Sequence, residues 1–352
     1  MDISIRRKRS WLLFAAVVAL LVLAAVAVKE FVTHGDVSRN APMLLHDSRR
    51  KRASTSISLK LLNTFGDSKQ GYIAEASDIA VDEEGRVYIA DRLLHHIIVY
   101  DRMGKFITAF GRRGKGPGEF ENPTWIAYRN GRIAVGNFPS PRVQIFDKNF
   151  KYLTSFYAPS SIAGLRLGPD GAPWITTAGP DRNRIVTKYD PEGKPVLTMG
   201  PQGIPSTNNF LSGQWYMIFW IDISHEGLVA LASAVRNDVQ LYTAQGQLIR
   251  RFSVPGLPRE VNWEKLEGTD WDIPSGGMFF RICFDRAGKI FLLSESGQLG
   301  NRALYVMEPD GSFVTRLLLP EPTRVLYVDA NNDLYLTANK GTLVRKYKII
   351  YE

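Results

Sequence analysis

A short turn flanked by two apolar strands recurs six times along this 352-residue chain, and no other feature constrains the fold as strongly. Each turn carries glycine or asparagine, which tolerate the positive φ angles of tight hairpins. The six turns are Glu84-Gly85, Asn130-Gly131, Asp170-Gly171, Glu226-Gly227, Ala287-Gly288 and Asn331-Asn332. Successive turns are 46, 40, 56, 61 and 44 residues apart. Such spacing is typical of a repeat of one small supersecondary unit.

The unit itself is clearest in residues 78–120. Four short apolar runs are separated there by a turn, a loop and a second turn, which predicts a four-stranded antiparallel meander. In five of the six units the second turn follows the first by about 19 to 23 residues. A single meander leaves two edges and one face uncovered, so it needs neighbours of its own kind.

The sixth unit supplies only three strands, in the stretch LYLTANKGTLVRKYKIIYE. A further strand is available at Ile57–Phe65, before the first complete unit, and it could close the ring. The sequence therefore predicts an all-β fold over residues 57–352. This fold is a six-bladed β-propeller of four-stranded antiparallel blades, in which the N-terminal strand closes the last blade.

The N-terminal region has a different composition. A basic tail, residues 1–10, precedes Trp11–Val28, a run of eighteen residues without a charge. This length is at the lower limit for a membrane-spanning helix, and the positive charges in front of it place the N-terminus in the cytoplasm. Residues 29–56 are polar and include a second basic block, Arg49–Arg52, which is typical of a flexible linker. The expected protein is single-pass, with its propeller outside the cytoplasm.

A second interpretation of the apolar run remains open. Ala25-Val26-Ala27 matches the small-x-small pattern of signal-peptide cleavage, and the protein would be secreted if cleavage occurred there. The net charge is +9, but residues 1–56 hold ten basic and four acidic residues, which leaves the propeller only +3. Binding of nucleic acid is therefore not expected. The single cysteine, Cys283, lies in an apolar run and permits no internal disulfide.

One stretch resembles a known family. Residues 111–123 read GRRGKGPGEFENP, are followed by Ile126-Ala127, and are preceded by the strands GRVYIAD and IIVYDRMGKF. This pattern resembles the NHL repeat, specifically over residues 78–150 and less clearly in later units. The resemblance implies a six-bladed propeller of bacterial type. Members of the family serve as extracellular ligand sensors, as protein-binding or RNA-binding platforms, and as metal-dependent amidating lyases. Fold alone does not choose among these functions.

Catalytic chemistry has little support in the sequence. Of the five histidines, only the neighbouring pair His95 and His96 could approach the face that bears the inter-blade loops. A catalytic zinc usually needs three protein ligands, rich in histidine, so no metal site is expected and no cofactor is implied. A nucleophile triad lacks a candidate base for the same reason. Carboxylates on facing blades remain an open possibility, and a lyase or hydrolase acting at the channel mouth is the alternative function.

Basic and aromatic residues on the loops give the main functional hypothesis. Two insertions between blades, Ile204–Ile218 and Arg259–Met278, carry Trp215, Tyr216, Trp263 and Trp271, and arginines recur in the loops between second and third strands. The candidate ligand-binding residues are Arg112, Arg113, Lys115, Arg142, Arg182, Arg236, Trp215 and Trp271. Together they would form a basic surface with aromatic walls around the channel. It would suit an anionic small molecule, glycan, peptide or protein.

Overall fold

The computed structural model describes residues 56–67, 69–178, 181–205, 210–265, 272–275, 277–295 and 302–352. The basic tail, the apolar run 11–28 and nearly all of the linker 29–56 lie outside these ranges. Within the ranges, no helix has the length and apolar character that crossing a membrane requires.

Almost all regular structure in the described residues is β-strand. The strands, in chain order, are β1 (Ile57–Phe65), β2 (Ala76–Val81), β3 (Val87–Asp91), β4 (His96–Tyr100), β5 (Phe106–Phe110), β6 (Arg112–Arg113), β7 (Glu119–Phe120), β8 (Pro123–Arg129), β9 (Arg132–Asn137), β10 (Arg142–Asp147), β11 (Tyr152–Tyr157), β12 (Ile162–Leu167), β13 (Pro173–Thr177), β14 (Val186–Tyr189), β15 (Pro195–Met199), β16 (Phe219–Ile223), β17 (Val229–Ser233), β18 (Val239–Tyr242), β19 (Leu248–Phe252), β20 (Trp263–Lys265), β21 (Asp272–Pro274), β22 (Arg281–Phe284), β23 (Ile290–Glu295), β24 (Arg302–Met307), β25 (Phe313–Leu318), β26 (Leu326–Val328), β27 (Asp333–Ala338) and β28 (Leu343–Tyr351). One short helix, α1 (Phe210–Trp215), and two single 3₁₀ turns, Arg182–Arg184 and Asn339–Gly341, complete the set.

Six four-stranded antiparallel sheets form the blades of a propeller. Blades 1 to 5 are β2–β5, β8–β11, β12–β15, β16–β19 and β22–β25, and blade 6 combines β26, β27 and β28 with β1. The first strand of every blade contacts the first strands of both neighbouring blades, so these strands surround the central axis. The prediction of an all-β, six-bladed fold is confirmed.

The N-terminal strand closes the ring, as the sequence predicts. β1 pairs with β28 from Ile57 opposite Tyr351 to Phe65 opposite Val344, with a bulge between Leu61 and Asn63. Beyond the ladder, Ser56 and Glu352 exchange two backbone hydrogen bonds, of 3.1 and 2.9 Å. Strands from the two ends of the described propeller thus share one blade, which removes the open edge of the ring.

Aspartates at strand ends explain why the turns form where the sequence places them. The carboxylate of Asp101 accepts the backbone N–H groups of Met103 at 2.8 Å and Lys105 at 2.9 Å. Gly104 between them has a φ of 86°, which most residues avoid. Asp82, Asp147, Asp190 and Asp329 make the same pair of contacts in other turns. A local side-chain bond therefore fixes each hairpin.

The hydrophobic core is divided in the same way as the blades. Seven clusters of buried residues occur in the described ranges; six lie one between each pair of neighbouring blades, and the seventh lies above blade 4. The cluster between blades 6 and 1 includes Phe65 of β1, Ile79 of β2 and Tyr335 of β27, so the closing interface is packed like the others. First strands such as β2 are buried at every position, whereas fourth strands such as β5 are partly exposed.

Two faces follow from this topology. The segments that precede the first strand of each blade, and those between second and third strands, lie on one face, which we name the loop face. The hairpins between first and second strands, and between third and fourth strands, lie on the other, the turn face. β1 begins at the turn face, beside the end of β28.

Candidate functional site

The central channel is occupied by the protein's own charged side chains. Arg166, on β12, donates to Asp222 on β16 at 3.0 Å and to Asp78 on β2 at 3.1 Å. All three groups are almost completely removed from solvent. Burial by itself would lower the pKa of Arg166, but the carboxylates of Asp78 and Asp222 raise it above its usual value. Burial raises the pKa of Asp222 despite the nearby Arg166. The network joins blades 1, 3 and 4 across the axis.

A second buried arginine fills the channel. Arg281, the first residue of β22, places its guanidinium 4.8 Å from the ring centre of Trp125 and 4.9 Å from that of Trp220. Its Nη2 donates to the backbone oxygen of Ser77 at 3.0 Å. Five blades therefore contribute side chains to the channel. This packing leaves the loop face, rather than the axis, as the candidate site.

On the loop face, the buried carboxylate of Asp91 joins two loops above blade 1. It accepts the N–H groups of Ala74 at 2.6 Å and Glu75 at 3.3 Å from the segment before β2. Its other oxygen accepts those of Leu93 and Leu94, both at 3.0 Å, from the loop after β3. The Ala-Asp ending of β3, which the sequence pattern singled out, thus holds the loop face together.

The glycine-rich loop, residues 111–122, is attached to the same group of loops. The backbone N–H of Asn122 donates to Nδ1 of His95 at 3.1 Å, so the loop after β3 contacts the loop that leads to blade 2. Three consecutive loops are therefore linked by hydrogen bonds. We name six residues of these loops the blade-1 patch: the exposed Tyr72, Leu93, Arg112, Arg113 and Lys115, and the half-buried Arg92, which pairs with Glu75 at 2.6 Å.

Two side chains of β10 hold the glycine-rich loop from beneath. Arg142 is buried and donates to the backbone oxygens of Lys115 and of Gly116, the latter at 3.0 Å. Gln144 accepts the N–H of Gly118 at 2.9 Å and donates to the oxygen of Glu119 at 2.6 Å. A loop anchored at several backbone groups holds in place the backbone from which its outward side chains project.

The cations of this loop project into solvent. The side chains of Arg112 and Lys115 are 81% and 82% exposed, and Arg113 is also exposed. Arg112 contacts Glu119 at 2.9 Å. The N–H of Gly116, and then Arg112, hold the pKa of Glu119 below its usual range. Tyr72 and Leu93 add exposed apolar surface to the blade-1 patch.

Arg236 and Gln240 repeat this support two blades further around the ring. Arg236 is buried, donates to the backbone oxygen of Gly203 at 2.6 Å and pairs with Asp238. Gln240 accepts the N–H of Gln202 and donates to its oxygen, both at 2.9 Å. Hydrogen bonds from β18 and the loop before it thus hold the segment before blade 4 in the way that Arg142 and Gln144 hold the glycine-rich loop. The sequence of this segment did not predict that similarity.

The remaining predicted site residues are dispersed. Trp215 ends α1 and is partly buried beside Tyr216, which bonds Glu260 at 2.9 Å and lies 5.4 Å from the ring of Trp263. These aromatic residues pack on one another above blade 4. The backbone of Arg182 lies in a 3₁₀ turn on the loop face. Trp271 lies outside the described residues. The structure therefore brings Arg112, Arg113 and Lys115 together over a buried Arg142, and places Arg236 and Trp215 elsewhere.

Histidines are absent from the described part of the channel. His95 is engaged by Asn122, His225 is exposed at the turn face, and burial lowers the pKa of the half-buried His96. Among the described residues, no group of three or more His, Cys, Asp or Glu side chains is arranged to hold a metal ion.

The channel residues were not among the sequence-based candidates, although the sequence carried a signal for them. Asp78, Arg166, Asp222 and Arg281 each lie inside or at the start of an otherwise apolar first strand, where a charge is costly unless paired. Asp78, Trp220 and Arg281 also share one position, three residues before the last paired residue of the strand. The recurrence of a charged residue in the first strands was therefore the sequence signal for the channel network.

Comparisons with known proteins agree with this architecture. A protein-family model described as a 6-bladed beta-propeller matches residues 66–162, which include all three linked loops of the blade-1 patch. A search of curated proteins finds no significant match. The fold is a six-bladed propeller.

Solved structures with the same fold have different functions. A putative exported protein from Bacteroides fragilis is similar with a TM-score of 0.57 at 11% identity, covering 87% of this chain and 98% of that one. A catalytically inactive histidine-to-alanine variant of virginiamycin B lyase from Staphylococcus aureus, solved with quinupristin, gives 0.53 at 14%, with 84% and 100% covered. A gluconolactonase from Xanthomonas campestris gives 0.51 at 16%, with 80% and 88% covered. At these identities the similarity concerns the fold alone.

Proposed function

We propose that this propeller is a recognition domain that binds an anionic partner on its loop face, at the blade-1 patch. The observation that carries the proposal is the glycine-rich loop: three exposed cations stand on a backbone that Arg142 and Gln144 immobilise from below. A loop backbone that is already ordered loses little conformational freedom when a partner binds, so more of the interaction energy is retained as affinity.

The surroundings of these cations favour a peptide or protein surface as the partner. Tyr72 and Leu93, in two of the three linked loops, are more than half exposed. Exposed aromatic and arginine residues are enriched at protein interfaces, and charge complementarity accelerates association. Two shallow grooves of about 310 and 420 Å³ lie on the outer wall of the ring, and neither is lined by a residue of the blade-1 patch. A flat cationic surface suits a macromolecule better than a small ligand.

The alternative, a lyase or hydrolase acting at the channel mouth, has less support. In the similar virginiamycin B lyase, replacement of one histidine gives a catalytically inactive protein. Here the described channel contains Arg166, Arg281 and their carboxylate and tryptophan partners instead. Both arginines are engaged in contacts within the protein, and neither is a suitable general base.

We further propose that residues 11–28 anchor the protein in a membrane, with the propeller outside the cytoplasm. The uncharged run and the preceding basic tail support this, as does the similarity to a protein described as exported. β1 enters the propeller at the turn face, so the loop face is free of the attachment point. We also retain the NHL-like assignment as a proposal, supported by the residues at 78–150.

Binding of poly-glutamate by the full chain in nonionic detergent tests the recognition role. We expect binding that weakens with salt, and that falls roughly tenfold or more when Arg112, Arg113 and Lys115 are all changed to glutamate. The matched control changes Lys148, Lys151 and Lys194, three exposed lysines of the turn face, to glutamate. Equal losses in the two triple variants would show that only net charge matters, and would refute a dedicated site on the loop face.

A further inference from the structure

An apolar area with a basic rim lies on the outer wall of the ring, where blade 6 meets blade 1. Four large apolar side chains are exposed there, by between 47% and 72%: Leu61, Leu62, Met103 and Ile107. They belong to β1, to the turn between β4 and β5, and to β5. We name this area the wall patch. It is separate from the blade-1 patch, which lies on the loop face.

The wall patch is continuous in space. The turn that contains Met103 packs on β1, because a Cβ on Gly104 would lie only 2.8 Å from the Asn63 side chain. Gly71 makes a similar close approach to Phe106, which brings the segment after β1 against β5. A shallow groove of about 420 Å³ runs between these parts and is lined by Lys69, Gln70, Gly104, Lys105 and Phe106.

Four exposed cations lie on the same segments as the apolar residues or on the segment after β1: Lys60, Lys69, Arg102 and Lys105. None of them forms an ion pair with a carboxylate of the described residues. The nearest acidic residue in the turn, Asp101, uses its carboxylate to accept the backbone N–H groups of Met103 and Lys105. The wall patch therefore combines apolar surface with unpaired positive charge.

We propose that the wall patch rests on the surface of an anionic lipid bilayer. This inference depends on the membrane anchoring of residues 11–28 proposed above. The sequence before β1 is 56 residues long and contains that apolar run, and it joins the propeller at Ile57. Lys60, Leu61 and Leu62 follow within five residues of this junction, so the wall patch begins close to the point where the tether joins the propeller.

The chemistry of the wall patch matches that of an interfacial contact. Apolar side chains enter the boundary between headgroups and acyl chains, while lysine and arginine side chains reach the phosphates of acidic lipids. Scattered exposed apolar residues on other outer strands, such as Ile249 on blade 4, need no such explanation. Contact at blades 6 and 1 would leave the loop face open to a soluble partner.

A polarity-sensitive fluorophore tests the contact in the full chain. Cys283 is buried, so label attaches chiefly at an introduced cysteine. Met103→Cys places the label in the wall patch, and Ile249→Cys places it on the opposite blade. In proteoliposomes that contain phosphatidylglycerol, we expect a blue shift at position 103 and none at 249. Phosphatidylcholine alone, or the double change Arg102→Glu and Lys105→Glu, should abolish the shift at position 103.

Three outcomes would overturn the inference, and they are distinguishable. If the chain leaves the vesicles on alkaline carbonate extraction, the anchoring proposal fails and this one with it. If the chain stays with the vesicles but the label at position 103 remains in water, or shifts no more than the label at 249, only the lipid contact fails. A shift that grows with protein concentration in lipid-free detergent would identify a second copy of the chain as the occupant.

Discussion

Arginines of the central channel and arginines of the glycine-rich loop have opposite environments in this propeller. Arg166 is nearly inaccessible and is held between Asp78 and Asp222, whereas Arg112 is 81% exposed and contacts a single glutamate. A buried guanidinium whose donors are occupied by its own protein stabilises one arrangement of the blades. An exposed guanidinium on a fixed loop remains available to a partner. The comparison separates structural charge from charge that can bind.

The largest effect is expected for Arg166→Met. This change leaves the buried carboxylates of Asp78 and Asp222 without their cation, and breaking such a pair typically costs about 3–5 kcal/mol of unfolding free energy. Urea denaturation of the full chain in detergent would measure the loss. Arg166→Lys is the control, since it keeps the charge but cannot reach both carboxylates as a planar fork does. A loss below about 1 kcal/mol would contradict a structural role.

The next largest effect on stability is expected from removing the contacts that hold the glycine-rich loop. Gln144→Ala removes the partner of the Gly118 N–H and of the Glu119 oxygen, and unsatisfied buried groups cost about 1–3 kcal/mol. Amide hydrogen exchange at Gly118 should become faster, and poly-glutamate should bind less tightly because the cations above lose their fixed positions.

Gln240→Ala is the matched variant for that experiment. It removes the equivalent contacts to Gln202, two blades further around the ring. Exchange should then accelerate at Gln202, with no change in poly-glutamate binding. If both variants weakened binding equally, global destabilisation rather than local positioning would explain the result.

The sequence predicts the turns between strands better than it predicts the contacts in the central channel. The turn residues are local signals: Asp101 and Gly104 fix a hairpin without distant partners, so the six blades and their closure could be predicted. Contacts across the axis are not local. Asp78, Arg166 and Asp222 come together only when blades 1, 3 and 4 are placed in a ring, and no spacing along the chain encodes that geometry.

The same reasoning explains why the sequence could not tell which of the arginines predicted on the loop face are buried and which are exposed. Arg112 and Arg142 both come from segments assigned to that face, and composition does not distinguish them. Their burial depends on which neighbouring backbone lies above: the glycine-rich loop covers Arg142 and leaves Arg112 outside. The sequence could therefore predict where cations accumulate, but only the fold shows which of them support the loop and which face solvent.

Acidic residues extend the comparison to pH. Burial raises the pKa of Asp222 above its unfolded value, so its ionisation opposes folding: this contribution favours the folded state at low pH and is lost as pH rises through the folded pKa. Glu119 behaves in the opposite way. Its pKa is lowered, so its contribution is present above the unfolded pKa and is lost as pH falls through the folded one.

Denaturation can be measured at a series of pH values over which carboxylates change from protonated to ionised. These measurements would check the direction of both contributions. The stability of the unchanged protein relative to Asp222→Asn should increase as pH falls. Relative to Glu119→Gln it should decrease over the acidic range. Parallel curves for the two variants would show that neither carboxylate has the environment described for it.

Arg112→Ala is expected to have the smallest effect on the unfolding free energy but a distinct effect on poly-glutamate affinity. An exposed ion pair contributes little, so the unfolding free energy should change by less than about 0.5 kcal/mol. Because Arg112 stands on a supported loop, poly-glutamate affinity should nevertheless fall, and a smaller fall is expected for Arg316→Ala, a cation on the outer strand of blade 5. Isothermal titration of both variants at low salt compares them directly. Loss of stability without loss of affinity at Arg112 would reverse the distinction, since the exposed arginine would then support the fold as Arg166 does.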